Sequence, residues 1–273
     1  MRKYIRRTIV GAVVAILIAL LAWGYSYTSP LTPRASDAWS RGRVIGRTPV
    51  RQHAALEPHP DQGVMMVWPN LKGQLELMHI GADGETLLNR TLPVESVDAR
   101  EPQLEIGPDG RLYLLWREPG EPHATIRYIQ LEDDGTPVGE PQIVSDPTRW
   151  VVDPPQLVLE REGDTQARLH ALWADEAGLQ WAVVSAEGML VREPTLLAPE
   201  ARSPAAQLDN RGRLHLGWQE QLRRNTQGIY YALLDPESGE LGEPEEMAQV
   251  FRRTGQWIEG PTIALDQEIG YVL

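Results

Sequence analysis

Gln52, Arg100, Asp153, Arg202 and Glu259 recur at one place in a repeated pattern, each two residues before Ala54, Pro102, Pro155, Pro204 or Pro261. An arginine guanidinium is a planar fork that matches a carboxylate. Aspartate and glutamate are the groups that move protons in acid–base chemistry. Because the set is mixed in sign, it reads in two ways. Arg100, Asp153, Arg202 and Glu259 line a ligand-binding mouth, or the charges pair among themselves and face water. Other chemistries lack residues. Cysteine is absent, which excludes a disulfide scaffold, a thiol nucleophile and a thiolate zinc site. The six histidines are isolated, and His170 and His215 align with Tyr113, so the repeat explains them as well as a ligand role does. No HExxH, EF-hand, P-loop, GxGxxG or GxSxG spacing occurs, so no metal site and no cofactor is implied. The acidic run Glu132–Asp133–Asp134 reads as a solvated turn.

The elements that position these residues follow from internal repetition. Ala54–Trp68, Pro102–Trp116 and Pro204–Trp218 align without a gap, and Pro155–Trp173 aligns with four extra residues in its turn. A further copy opens at Pro261, so the starts at 54, 102, 155, 204 and 261 are spaced by 48, 53, 49 and 57 residues. Each copy continues with a segment carrying Leu77, Tyr128, Trp181 or Tyr231, which ends at Gly84, Gly135, Gly188 or Gly239. Short segments such as RTLPV and PQIVS follow. Alternating apolar residues, aromatic content and acidic-glycine turns predict four antiparallel strands per copy. A lone four-stranded sheet cannot bury both faces, but sheets stacked radially do. The fold class is therefore all-β, a β-propeller of about four complete blades and a partial one over residues 44–273. Trp68, Trp116, Trp173 and Trp218 are expected between blades, as are Tyr128, Tyr230 and Tyr231. Trp150 and Trp257 fall outside the repeat and are the better candidates for a sugar-stacking platform. The strongest helical competitor is 242–254.

This pattern of Pro-x-Leu, an Asp/Asn turn, Gly-Arg-Leu, Trp, an aromatic-bearing strand and an acidic-glycine turn resembles the sialidase-superfamily propellers. Their aspartate box, Ser-x-Asp-x-Gly-x-x-Trp, is unmatched. The resemblance implies a three-arginine carboxylate clamp near the channel mouth, and only Arg100 and Arg202 stand at equivalent positions. It also implies a tyrosine nucleophile with an acid–base carboxylate, and no spacing picks out such a pair.

Charge and hydropathy place the body. Net charge is −12, with Arg2, Lys3, Arg6 and Arg7 giving +4 to the first 27 residues and −16 to the rest. An acidic body repels phosphate backbones, so no nucleic acid partner is expected. Residues 1–7 read as a basic cytoplasmic tail and 8–27 as a signal-anchor helix through the lipid bilayer, with Trp23, Tyr25 and Tyr27 at its outer edge. Ala22 and Gly24 keep a cleaved signal peptide open. Residues 28–43 read as a tether. Either way the propeller is expected outside the cell membrane. Ring closure predicts that Val44–Val50 supplies an outer strand, and that the chain is a truncated product of a longer frame; a four-blade ring is the alternative. These features lead to a membrane-tethered, non-catalytic binding module for protein or carbohydrate, with a sialidase-like glycoside hydrolase as the alternative.

Overall fold

The computed structural model describes residues 44–272 except 51, 61–62, 163–165, 252–259 and 266–269. The expected membrane helix, the tether, Trp257 and Glu259 lie outside the described residues. Among the described residues every helix or strand assigned is a strand.

The strands group as the repeats predict. The first sheet comprises β1 (Ala55–Pro58), β2 (Val64–Pro69), β3 (Leu75–Ile80) and β4 (Thr86–Thr91). The second holds β5 (Arg100–Ile106), β6 (Leu112–Glu118), β7 (Thr125–Leu131) and β8 (Gln142–Ile143). The third holds β9 (Gln156–Glu162), β10 (Gln166–Asp175), β11 (Gly178–Ser185) and β12 (Leu190–Pro199). The fourth holds β13 (Arg202–Leu208), β14 (Leu214–Arg223), β15 (Thr226–Asp235) and β16 (Glu240–Leu241), with β17 (Glu245–Phe251) also pairing β15. A hairpin of β18 (Ile263–Leu265) and β19 (Gly270–Val272) follows. All pairings are antiparallel and, apart from β17 on β15, join strands consecutive in the chain. The first strands pack in sequence, β1 on β5, β5 on β9, β9 on β13 and β13 on β18. They are the inner strands of successive blades.

Side-chain alternation on the strands explains why the sheets stack. Along β6, Leu112, Leu114 and Trp116 join a core shared with the first sheet, whereas Tyr113 and Leu115 join one shared with the third. Successive residues of a strand point to opposite faces, so an unbroken apolar run such as LYLLW is what a sheet buried on both faces requires. A third core joins the third and fourth sheets through Trp181 and Trp218. The repeated tryptophans Trp116, Trp173 and Trp218 are at most 1% exposed and each faces the preceding blade. Truncating one to alanine is expected to cost about 3–5 kcal/mol.

The third-strand aromatics face the following blade and meet its glycine turn. A Cβ at Gly188 would lie 3.3 Å from the Tyr128 ring, and one at Gly239 would lie 3.4 Å from the Trp181 ring. Both glycines have φ near +80°, at 86° and 75°, where a side chain is strained. The Tyr128 hydroxyl donates to the Ala186 carbonyl in that same turn, at 3.0 Å. Buried His170 is a brace of the same kind. Trp181 Nε1–H donates to His170 Nδ1 at 3.3 Å, and indole can only donate. The imidazole proton is therefore on Nε2, which donates to Glu160 at 3.1 Å.

Two expectations are corrected and a third is settled in favour of a strand. Residues 44–49 form no strand, and Val44 and Val50 are 73% and 91% exposed, without the apolar burial that an outer strand would need. The 242–254 segment, the strongest helical competitor, supplies the short strand expected after the Gly239 turn: β15 runs past the end of β16 and offers a free edge that β17 pairs. In the first sheet the fourth strand is TLLNRT, starting directly after the Gly84 turn and ending where the RTLPV segment begins.

Candidate functional site

The inner strands β5 and β13 begin with the same irregularity. Pairing jumps from Arg100 to Gln103 in one and from Arg202 to Ala205 in the other. Within the bulges, Glu101 and Ser203 both have φ of +52°, a left-handed conformation that side chains other than glycine adopt at some energetic expense. Bulges of this sort re-aim side chains. The residue in the same place before β18 is Gly260, where a Cβ would lie 2.7 Å from the Ser203 Cβ.

Four side chains gather at this mouth. Arg117, opposite Arg100 in β6, grips Glu101 bidentately, with Nε at 2.7 Å and Nη2 at 2.9 Å. The pair is largely shielded, at 17% and 12% exposure. Asp153 Oδ2 accepts the Ser203 N–H at 2.9 Å. Burial raises the Asp153 carboxyl above its ordinary value, and the Glu101 charge adds to this. The Ser203 N–H, Arg202 and Arg117 pull the other way without cancelling the rise. Arg202 Nη1 donates to the carbonyls of Asp175 and Ala201, both at 2.9 Å.

The structure thus brings together two members of the expected ring, Asp153 and Arg202. Arg100 is turned aside onto Asp98, which accepts from its Nε at 3.0 Å. Glu259 lies outside the described residues. Gln52, in the place equivalent to Asp153, accepts the Glu101 N–H at 2.9 Å. The same inter-blade bond is therefore made once by an amide and once by a carboxyl. Sequence reasoning missed Glu101 and Arg117. It also missed a signal that runs through the whole chain: the second residue after each repeated tryptophan is Asn70, Glu118, Asp175 or Glu220. All are hydrogen-bond acceptors. Glu118 and Glu220 receive the indole N–H of Trp116 and Trp218, each at 2.8 Å. Glu118 also receives the Val97 N–H at 2.7 Å and so ties down the entry to β5.

At the opposite end of the inner strands, Glu105 of β5 lies within charge range of Glu57 of β1. Burial, reinforced by the Glu57 charge, pushes the Glu105 carboxyl up to about 8, against the pull of the Leu159 N–H and Arg161. Two copies on, Gln207 Oε1 accepts the Leu265 N–H at 3.0 Å. Asp209 shows the reverse balance. Burial acts to raise it, but Arg213, the Arg211 N–H and His215 hold it well below the usual carboxylate range. Trp150 is 55% exposed, with the His123 ring 6.3 Å away. Trp150 thus has the exposure expected of a platform.

No family model matches the chain, and no curated protein matches it. Solved structures do. The exo-β-1,3-galactanase of Phanerochaete chrysosporium, in a form carrying β-1,3-galactotriose, superposes with a TM-score of 0.53 at 8% identity over 76% of this chain and 51% of that one. Its galactose-bound structure gives 0.51 at 7% identity over 75% and 53%. An α-L-arabinofuranosidase from Clostridium thermocellum gives 0.49 at 9% identity over 82% and 83%. The chain spans about half the length of the galactanase structures it matches. At this identity the likeness establishes the fold, a β-propeller, and it is not specific to sialidases. The expectation of a non-catalytic binding module is corrected on the same comparison: the galactanase structures are of a glycan-cleaving enzyme, a property of that protein.

Proposed function

We propose that the chain is a glycan-cleaving hydrolase whose proton-donating group is Asp153. The observation that carries this reading is a raised carboxyl at a strained mouth, beside a second carboxylate and two guanidiniums. Glycosidic hydrolysis uses two carboxyl groups, one giving its proton to the departing oxygen and the other assisting the attack on the sugar. Asp153 suits the first role because burial and Glu101 both favour its protonated form. Glu101, held by Arg117 at 2.7 Å, suits the second. Gln52 supports the assignment. An amide there makes the same inter-blade bond, so bracing the blades does not require an ionisable group at Asp153.

The substrate is a neutral sugar. Arg100 is engaged by Asp98, Arg117 by Glu101, and Arg202 by two carbonyls. A sialidase-type clamp would have to break those contacts to seat a carboxylate. The expected export of the body would put this activity outside the cell membrane, where glycans are met; protease accessibility of the body in intact cells tests that placement.

The full chain is assayed on aryl glycosides of galactose, arabinose and xylose, on β-1,3-galacto-oligosaccharides and on an aryl sialoside. Cleavage of a neutral glycoside is expected, falling at least about a hundredfold in Asp153→Asn, whose side-chain oxygen still accepts the Ser203 N–H. Absence of cleavage on every substrate overturns the reading, as does an undiminished Asp153→Asn enzyme.

A further inference from the structure

Beside the mouth, a second cavity is built on the third sheet. It has a volume of about 130 Å³, walled by Trp173, Asp175, Gln180 and Leu196 of that sheet and by Asp146 and Arg149 of the segment leading to β9. A space of this size takes several waters or one small polar ring, not an extended chain.

Its polar groups are fixed in orientation. The Asp175 side chain is 3% exposed. Its Oδ1 accepts from the Ala177 N–H at 2.8 Å, the Gly178 N–H at 3.2 Å and Gln180 Nε2 at 3.2 Å. Because a carboxylate only accepts, the Gln180 amide is locked with Nε2 toward Asp175, and its Oε1 remains as an acceptor. Asp175 Oδ2 has a loose partner, Arg149 Nη1 at 3.7 Å, and that arginine is 43% exposed and shared with Asp146 at 3.6 Å. The cavity therefore offers a carboxylate oxygen, an amide oxygen and a guanidinium, with Trp173 and Leu196 as apolar wall. Hydroxyl groups both donate and accept, and sugar C–H faces are apolar, so a neutral polyhydroxylated ring satisfies every wall. Two carboxylates against one guanidinium disfavour an anionic ligand.

The cavity is also coupled to the mouth. Asp175 turns its carboxylate into the cavity and its carbonyl to Arg202, at 2.9 Å, and Arg202 is one of the charges acting on Asp153. We propose that this cavity is a second sugar subsite, which binds a neutral glycosyl unit of the same chain whose cleaved bond lies at Asp153. The substrate is then an oligosaccharide or polysaccharide recognised over several units. This inference rests on the hydrolase reading for what occupies the mouth, and its test does not depend on turnover.

Calorimetric titration of full-length Asp153→Asn protein with galacto-, arabino- and xylo-saccharides of one to four units is the measurement. For one of these series the affinity is expected to rise at least tenfold between the single sugar and the longer chains. That increment is expected to shrink at least fivefold in Arg149→Ala, a half-exposed wall residue, and in Gln180→Ala. Equal affinity at every length, no binding by any series, or an increment that survives both substitutions overturns the subsite. Length-dependent binding in a protein whose wild type cleaves nothing overturns only the hydrolase reading. Cleavage of oligosaccharides without length-dependent binding overturns only the subsite.

Discussion

The two ends of the inner strands use the same bond for different ends. At the far end Glu105 receives the Leu159 N–H and Gln207 receives the Leu265 N–H. At the mouth Gln52 receives the Glu101 N–H and Asp153 receives the Ser203 N–H. In each case an oxygen on one blade accepts from the backbone of the next, once as an amide and once as a carboxyl. The backbones differ. Past the bulges β5 and β13 keep unbroken register from Gln103 to Ile106 and from Ala205 to Leu208, whereas at the mouth both bulge through left-handed residues. Left-handed non-glycine residues and bulges persist where the surroundings over-determine them, and they concentrate at functional sites. The far end shows what the propeller needs to stay together, and the mouth shows what has been added.

The sharpest way to break this comparison is to make the mouth resemble the brace that Gln52 already is. Asp153→Asn keeps an acceptor for Ser203 and removes the proton. Activity is expected to drop at least about a hundredfold while the thermal midpoint moves by no more than a few degrees. A large fall in the midpoint with activity retained would make Asp153 a brace and nothing more.

Arg117→Met tests whether the added charges at the mouth are mutually dependent. Removing one partner of a shielded pair leaves the other charge unpaired, which destabilises by about 3 kcal/mol. Urea unfolding reads the loss. The double variant Arg117→Met/Glu101→Gln is expected to recover most of it, since no bare carboxylate remains. Equal stability of the single variant and the wild type would show that water reaches and screens Glu101.

Glu105→Gln makes the complementary test at the far end. The Glu105 carboxyl titrates at about 8 in the fold against an ordinary 4.5. Between those values the folded chain holds a proton that the unfolded chain has released, so stability contributed by this group is full at acidic pH and declines as pH rises toward 8. Glutamine keeps the acceptor and cannot ionise. It is expected to flatten that decline and to stabilise the protein at pH 8.5 by about 2 kcal/mol, a figure discounted for partial solvent screening. An unchanged pH profile of unfolding would place Glu105 in contact with water.

The same contrast explains what was readable in the chain itself. The double alternation of RLYLLW and its copies is imposed by two buried faces, so the sheets and the tryptophans between them could be read from spacing alone. The outer strands were legible in existence but not in extent. β8 is two residues inside the expected PQIVS, whereas β12 runs for ten, and no spacing distinguishes them. Asp153 and Arg202 were legible because the repeat places them. Arg117 was not, since the residue after the repeated tryptophan is Pro69, Arg117, Ala174 or Gln219, with no shared chemistry. Glu101 and Ser203 were equally hidden among His53, Pro154 and Gly260. Their common feature is a backbone angle, which side-chain type does not encode.

That shared angle supports the smallest and most discriminating test. Ser203→Gly and Glu101→Gly relieve the same left-handed strain, worth about 1 kcal/mol, less what the more flexible unfolded glycine gives back. Ser203 donates through its backbone to Asp153, and glycine retains that bond. Ser203→Gly is therefore expected to raise stability by a few tenths of a kcal/mol. Glu101→Gly relieves the strain but leaves Arg117 without its bidentate partner, so a net loss is expected. Opposite signs for the two substitutions in denaturant unfolding would show that the left-handed turn at Glu101 is maintained by the ion pair it makes. The same sign in both would mean that the backbone at the mouth, and not the charge it presents, is what the bulges maintain.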